Sequence, residues 1–324
     1  MTKPEELTIL GGGSWGTALA ISLAGNFEAV HLRVHDPVKA REMQETRENR
    51  VYLPGLRFPD NVHISTTARV AGWVLVAIPS KHLVAGLPAA DGPVAAISAV
   101  KGIEAGSFRT MTEVIAEYWP GAKTACLSGP TFAKEVAAGL PAAVVVGSDD
   151  AEFARAIQAA FATASLRLYT NSDLRGVELS GALKNCIAVA AGAVEGLGVG
   201  SNSMAALITR GLAEIGRLVA ACGGQAQTVA GLAGLGDLVL TCHGQLSRNR
   251  RVGVELAKGR SLEAILADSP MIPEAVTTVP IALDLARSKG VEMPITQAVA
   301  KMFAGVDTRQ CLRELVERAP KAEI

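Results

Sequence analysis

Short apolar runs alternate with helical stretches through the first half of the chain. Residues 7–10 form an apolar run that enters a glycine cluster, and 15–23, rich in small apolar residues, predicts a helix. Further strand-like runs stand at 29–34, 73–79, 93–100, 124–127, 142–147 and 166–169. Helical patterns lie at 37–50 and 151–163, with a loop at 52–55. Such alternation predicts a mostly parallel sheet with helices on both faces. Beyond residue 173 the pattern changes to Ala-, Leu- and Gly-rich helical stretches at 174–195, 203–222, 249–258, 277–289 and 308–318, with one ambiguous strand at 237–241. No solenoid repeat or low-complexity segment interrupts it, and 320–324 reads as a frayed tail.

The glycine cluster gives the first half its chemistry. Gly11, Gly13 and Gly16 are spaced G-x-G-x-x-G between strand and helix. In that setting the first glycine permits a tight turn, the second lets backbone approach a pyrophosphate, and the third lets the helix press on the strand. The free N–H groups and positive dipole end of the helix suit phosphates. A second strand ends at Asp36, 20 positions beyond Gly16, where a dinucleotide fingerprint places an acid. The expected fold class is therefore α/β, a Rossmann-type mostly parallel sheet over 1–173, followed by an all-helical substrate-binding domain over 174–324.

Composition narrows the setting. Lys+Arg and Asp+Glu are both 31, so the formal net charge is zero, which argues against bulk binding to nucleic acid or anionic membranes. The five cysteines are widely spaced without a C-x-x-C, which fits a reducing cytoplasm rather than a disulfide framework. The five histidines show no metal-ligand spacing, so no metal is expected. The N-terminus lacks a long apolar region, so no signal peptide is read there. The apolar stretch at 181–200 is interrupted by Lys184 and Glu195 and reads as short of a membrane span.

Four constellations could carry chemistry. Lys184 sits mid-way along an almost wholly apolar helix, where desolvation favours proton transfer; the alternative is a lysine that snorkels to solvent or makes a structural ion pair. Gly231-Leu-Ala-Gly-Leu-Gly-Asp237 suggests backbone that must approach something closely. Ser247-Arg-Asn249 offers a hydroxyl, a guanidinium fork and an amide, a set that suits phosphate, although Ser247 could equally cap a helix. Lys101, Gly129 and Thr131 stand just past the carboxyl ends of two strands, where open α/β sheets bind ligands; they could also be ordinary turn or cap residues.

Taken in order, these stretches resemble the bacterial-type NAD(P)-dependent sn-glycerol-3-phosphate dehydrogenases. The matching segments are Gly11-Gly-Gly-Ser-Trp-Gly-Thr-Ala-Leu-Ala20, Tyr52-Leu-Pro-Gly55, Lys101-Gly-Ile-Glu104 and Leu127-Ser-Gly-Pro-Thr-Phe-Ala-Lys-Glu135. They continue with Gly181-Ala-Leu-Lys-Asn185, Ile208-Thr-Arg-Gly-Leu-Ala-Glu214, Gly231 to Cys242 and Ser247-Arg-Asn-Arg250. The resemblance implies a helical domain like that of 6-phosphogluconate dehydrogenase, with Lys184 as catalytic acid/base. It implies substrate contacts from Lys101, Gly129, Thr131, Asp237, Ser247, Arg248 and Asn249. Cofactor contacts would come from Gly11, Gly13, Ser14, Trp15, Gly16, His35, Lys101, Ala133, Arg248, Ile272 and Glu274. This sequence departs from the family pattern at Arg33, at His35 and in Met271-Ile-Pro-Glu-Ala275, whose Pro273 stiffens the loop.

The implied activity is interconversion of dihydroxyacetone phosphate and sn-glycerol 3-phosphate with NADH or NADPH, supplying glycerophospholipid synthesis from the cytoplasm. The partner is then a small-molecule substrate, with no nucleic acid and no membrane insertion, and a homodimer is left open. Two rivals stand beside it: a β-hydroxyacid dehydrogenase of the same two-domain architecture, and a non-catalytic dinucleotide-sensing protein. On cofactor choice, Asp36 favours NAD, whereas Arg33 and His35, two apart on one strand end, would form a basic edge that admits NADPH as well.

Overall fold

The computed structural model describes residues 3–268 and 272–319. The expected tail at 320–324 and Met271 lie outside the described residues. The chain divides into two compact units, Met1–Glu178 and Leu179–Ile324.

In the first unit the strands are β1 (Glu6–Leu10), β2 (Ala29–Arg33), β3 (Glu48–Asn49), β4 (Leu53–Arg57), β5 (Val62–Ser65), β6 (Gly72–Val76), β7 (Val94–Ser98), β8 (Lys123–Ser128), β9 (Ala142–Gly147) and β10 (Leu166–Asn171). The helices are α1 (Ser14–Leu23), α2 (Pro37–Thr46), α3 (Leu83–Gly86), α4 (Met111–Tyr118), α5 (Ala133–Ala137) and α6 (Ala151–Phe161). Eight strands form one sheet in the order β10-β9-β8-β7-β6-β1-β2-β5. Its pairs are parallel except β8 with β9. The strand order reverses between β1 and β6, which creates the crevice where sheets of this class bind ligands.

Both faces of the sheet are covered. Leu7 and Ile9 of β1 enter one buried cluster, and Leu10 enters the cluster on the other face. On the first face Phe153 and Phe161 are wholly buried and meet Trp73 edge-on at centroid distances of 5.7 and 6.1 Å. On the other, Glu178 accepts from the first turn of α4: Thr112 N donates to its Oε1 at 2.9 Å and Thr112 Oγ1 to its Oε2 at 2.5 Å.

Two expectations are corrected here. The helix over 37–50 stops at Thr46, because Arg47 turns left-handed with φ 53° and reverses the chain. Its guanidinium donates to the Val62 and Pro59 carbonyls. Of the loop expected at 52–55, Tyr52 is in the turn of the β3–β4 hairpin and 53–55 begin β4, and β5 follows as an edge strand beside β2. β3 and β4 carry no alternation, and β5, Val62-His-Ile-Ser65, alternates over only four residues, too few to announce a strand. Pairing with neighbours makes them strands.

Among its described residues the second unit is all helical. Its elements are α7 (Leu174–Gly196), whose first turn belongs to the first unit, α8 (Ser201–Ala221), α9 (Ala226–Val229), α10 (Asp237–His243) and α11 (Arg248–Ala257). They continue with α12 (Leu262–Ala267), α13 (Glu274–Ser288), α14 (Pro294–Phe303) and α15 (Thr308–Val316). The ambiguous strand at 237–241 is the helix α10: Leu238, Thr241 and Cys242 are buried while Val239 is exposed, a helical period. On length and composition α7 could cross a membrane, contrary to the sequence expectation, but its apolar window is wholly buried inside the protein, as in a core helix.

Small residues let α7 and α11 touch backbone to backbone. A Cβ added at Gly192 would lie 1.8 Å from the Arg250 carbonyl oxygen, and one at Gly253 would lie 1.9 Å from that of Val189. This contact brings the C-terminal half of α7 beside the first half of α11.

Glu214 ties α8 to the start of α14. Its carboxylate accepts from Ile295 N at 2.8 Å, Thr296 N at 2.9 Å and Thr296 Oγ1 at 2.6 Å, and the residue is fully buried. Burial pushes its carboxyl above the ordinary glutamate value despite those three hydrogen bonds. The folded chain therefore holds this proton more tightly than the unfolded chain. The stability so gained is full below the ordinary glutamate value and is lost as the pH rises through the raised one. Glu214→Ala should cost about 3 kcal/mol, because it strands three buried donors. Glu214→Gln should cost less and flatten the pH dependence. Thermal melts across acidic to neutral pH test this, and an Ala variant melting like the parent would refute it.

Candidate active site

In the first unit the glycine loop is shaped as the fingerprint requires. Gly11 has φ +117°, and a Cβ there would sit 2.6 Å from the Ala77 carbonyl oxygen. A Cβ at Gly16 would lie 1.9 Å from the Gly11 oxygen, so α1 presses directly on the turn. At Gly13 a Cβ would meet nothing within 4 Å, so this position opens onto free space at the N-terminus of α1. The first turn of α1 carries no acidic side chain. An open backbone cradle of N–H groups at a positive helix end fits a pyrophosphate.

The hairpin braces this loop. Asn49, buried, donates to the Gly12 oxygen at 3.0 Å and to Thr17 Oγ1 at 2.8 Å, and its own Oδ1 accepts from Tyr52 N at 3.2 Å. Ser14 donates to the Tyr52 oxygen at 3.1 Å. Asn49 was not foreseen, since nothing in the local pattern marks a hairpin asparagine as a support for a loop 37 residues earlier. Trp15 is half-buried against the core.

At the end of β2 the expected basic edge does not form as a pair. The Arg33 guanidinium donates to the Thr66 oxygen at 3.1 Å and the Gly86 oxygen at 2.7 Å, while His35 is exposed. Asp36 is the N-cap of α2, its Oδ1 accepting from Val38 N at 2.9 Å and Lys39 N at 3.2 Å. At the carboxyl ends of β7 and β8 stand half-buried Lys101 and then Gly129, with φ +141°. Thr131 donates to the Gly129 oxygen at 3.2 Å and does not cap α5, whose N-cap is Phe132 and whose first residue is Ala133.

In the second unit Lys184 is 6 % exposed and does not snorkel. Its Nζ donates to Asp237 Oδ1 at 2.9 Å and to Thr241 Oγ1 at 2.5 Å. Thr241 in turn donates to the Asp237 carbonyl oxygen at 2.6 Å. Asp237, itself buried, opens α10, and Thr241 follows one turn later on the same face. The sequence reading passed over Thr241, because a strand would have set positions 237 and 241 far apart. The glycines before Asp237 make their close approach within the chain: a Cβ at Gly234 would lie 1.9 Å from the Val229 oxygen.

A second buried network joins three helices. Asn249 Nδ2 donates to Asn185 Oδ1 at 2.8 Å, Asn185 Nδ2 donates to Glu274 Oε2 at 2.7 Å, and Ala275 N donates to Asn249 Oδ1 at 3.0 Å. Asn249 and Glu274 are thereby linked through Asn185, the neighbour of Lys184. Ser247 is the N-cap of α11, accepting from Arg250 N at 3.2 Å, while Arg248 is exposed on the first turn. Ile272 is exposed ahead of the buried Pro273, the N-cap of α13. The Cys242 thiol beside this site is pushed up to about 12, chiefly by burial, which leaves it inert as a nucleophile. Among the described residues no cluster of His, Cys, Asp and Glu could hold a metal.

Known proteins match this chain in sequence and in fold. The family profile of the NAD-dependent glycerol-3-phosphate dehydrogenase N-terminus matches residues 6–154, and that of the C-terminus matches 173–313. The glycerol-3-phosphate dehydrogenase [NAD(P)+] of Chlorobium limicola is 44% identical, covering 98% of this chain and 99% of its own. That of Nitratidesulfovibrio vulgaris is 44% identical over 98% of this chain and 100% of its own. The crystal structure of glycerol-3-phosphate dehydrogenase from Coxiella burnetii superposes with a TM-score of 0.92 at 38% identity, covering 97% of this chain and 99% of that one. A sequence match over nearly the whole length, in order and with the same fold, means that this chain belongs to the NAD-dependent glycerol-3-phosphate dehydrogenase family.

Proposed function

We propose that this enzyme interconverts dihydroxyacetone phosphate and sn-glycerol 3-phosphate with NADH or NADPH, and so supplies glycerophospholipid synthesis. The observation that carries the reading is the buried ammonium of Lys184, held by Asp237 and Thr241. A nicotinamide cofactor, when bound, would supply or accept the hydride at the substrate carbon. Lys184 donates a proton to the carbonyl oxygen as negative charge develops there, and takes it back in the reverse direction. Asp237 and Thr241 fix the position of Nζ. Arg248 grips the phosphate through its guanidinium, with Ser247 and Asn249 shaping the turn that presents it. Energy from that non-reacting phosphate then positions the carbonyl.

In the first unit, Gly11, Gly13, Ser14, Trp15 and Gly16 build the cofactor cradle, with His35 at its ribose end. Lys101, Gly129, Thr131 and Ala133 complete the assigned ligand contacts there, and Arg248, Ile272 and Glu274 those assigned to the cofactor in the second unit. The five cysteines, all buried free thiols, fit a reducing cytoplasm.

The test is oxidation of NADH and of NADPH with a panel of ketones. Turnover is expected with dihydroxyacetone phosphate and not with unphosphorylated β-keto acids. The opposite preference would establish the β-hydroxyacid rival, and no oxidation at all would establish the non-catalytic one. Because Arg33 is committed to two carbonyls, His35 is the exposed basic side chain at the end of β2. His35→Ala should therefore lower kcat/KM for NADPH by about 3- to 10-fold relative to NADH. An unchanged ratio would remove His35 from cofactor choice.

A further inference from the structure

We propose that the hydroxyl of Ser128 binds the carboxamide of the nicotinamide ring, a role that rests on the reading of the first unit as the dinucleotide-binding unit. Ser128 is the last residue of β8 and only 6 % exposed. Among the described residues its Oγ is the one buried side-chain nitrogen or oxygen atom without a hydrogen-bond partner. Burying a hydroxyl unpaired costs stability, and alanine would fill the same strand position without that cost. Such an orphan is expected where a ligand completes the hydrogen bond.

The backbone holds the hydroxyl in place. Gly129, with φ +141°, turns the chain immediately after Ser128, and a Cβ there would lie 3.0 Å from the Ala143 oxygen and 3.1 Å from Val144 Cα. The turn is thus pressed against β9, and Thr131 closes it by donating to the Gly129 oxygen. The nearby strand-end hydroxyl of Ser98 differs, because it accepts from Val100 N at 3.3 Å.

The sheet order identifies the ligand. The glycine loop and Asp36 belong to β1 and β2, so the adenosine half of a dinucleotide lies over β1, β2 and β5. Across the crevice between β1 and β6, the other half lies over the carboxyl ends of β6, β7 and β8. That half ends in a nicotinamide, whose carboxamide carries both a carbonyl acceptor and N–H donors. A hydroxyl can donate to the first or accept from the second.

The experiment compares the full-length parent with Ser128→Ala by titration with NADH and with ADP-ribose, which lacks the nicotinamide, and by thermal melts without ligand. The expected result is NADH binding about 5- to 30-fold weaker, ADP-ribose binding within about twofold of the parent, and a melting temperature raised by about 2–4 °C as the orphan is removed. Unchanged NADH affinity, or equal loss for NADH and ADP-ribose, would overturn the proposal. So would a raised KM for dihydroxyacetone phosphate with NADH affinity intact, which would give the hydroxyl to the substrate. A parent protein that binds ADP-ribose and NADH equally well would also overturn it, whereas a parent that binds neither would refute the dinucleotide reading itself.

Discussion

Lys184→Ala should lower kcat by ~10²–10⁴-fold, the usual worth of positioned acid–base assistance, while NADH affinity stays near that of the parent. The loss falls on kcat because the ammonium acts on charge that appears only as the carbonyl is reduced. The substitution also has a structural consequence. Asp237 is 2 % exposed, and without its partner at 2.9 Å it becomes a buried carboxylate missing its cation. Removing one member of such a pair costs about 3–5 kcal/mol. The double variant Lys184→Met/Asp237→Leu separates the two effects, since apolar residues of similar size can replace a buried pair at little cost. It should recover most of the melting temperature and none of the turnover. Near-normal turnover in Lys184→Ala would move the proton donor elsewhere, with Lys101 the next candidate. Recovery of activity in the double variant would show that the pair serves only the fold.

Arg248→Lys should raise KM for dihydroxyacetone phosphate by about 10- to 100-fold, with a much smaller effect on unphosphorylated dihydroxyacetone. Arg248 stands exposed on the first turn of α11, so its replacement disturbs no core packing and the fold should keep its melting temperature. Lysine keeps the charge but loses the planar fork that matches two phosphate oxygens. The helix N-terminus, capped by Ser247, adds a favourable dipole for the same anion. Measuring both ketones is decisive. An equal loss for each would leave Arg248 serving the cofactor or the fold and not the phosphate, and no loss for either would remove it from the site.

The site divides unevenly between what pattern reveals and what packing reveals. Lys184 was conspicuous because a charge in the middle of a small-residue helix is costly wherever that helix is buried. Of its alternatives, burial excludes snorkelling, whereas a structural ion pair is present in the contact with Asp237, and both turn on what lies beside it. That neighbour is a helix more than 50 residues later, and the ambiguity of 237–241 between strand and helix concealed Thr241. Ser247 shows the reverse case. Its spacing permitted both a cap and a phosphate ligand: its oxygen accepts from Arg250 N as the cap, and its O–H can still donate to a phosphate.

Local pattern in the sequence reveals the mostly parallel sheet, the glycine turn, the run of helices beyond it and the lysine in the middle of the first of them. Each is a local signal: a period of two or of 3.6, a glycine spacing, or a charge out of place. Tertiary structure alone decided the β3–β4 hairpin that braces the glycine loop, the edge strand β5, the left-handed turn at Arg47 and the helical state of α10. It also decided the attachment of Arg33 to two carbonyls, the amide chain from Asn249 through Asn185 to Glu274, and the orphan hydroxyl of Ser128. The physical reason is common to all of them. A short polar segment has too little periodicity to choose its own conformation, and a polar side chain has many partners within reach of a flexible chain. Both are settled by which distant backbone groups the packed core brings within about 3 Å.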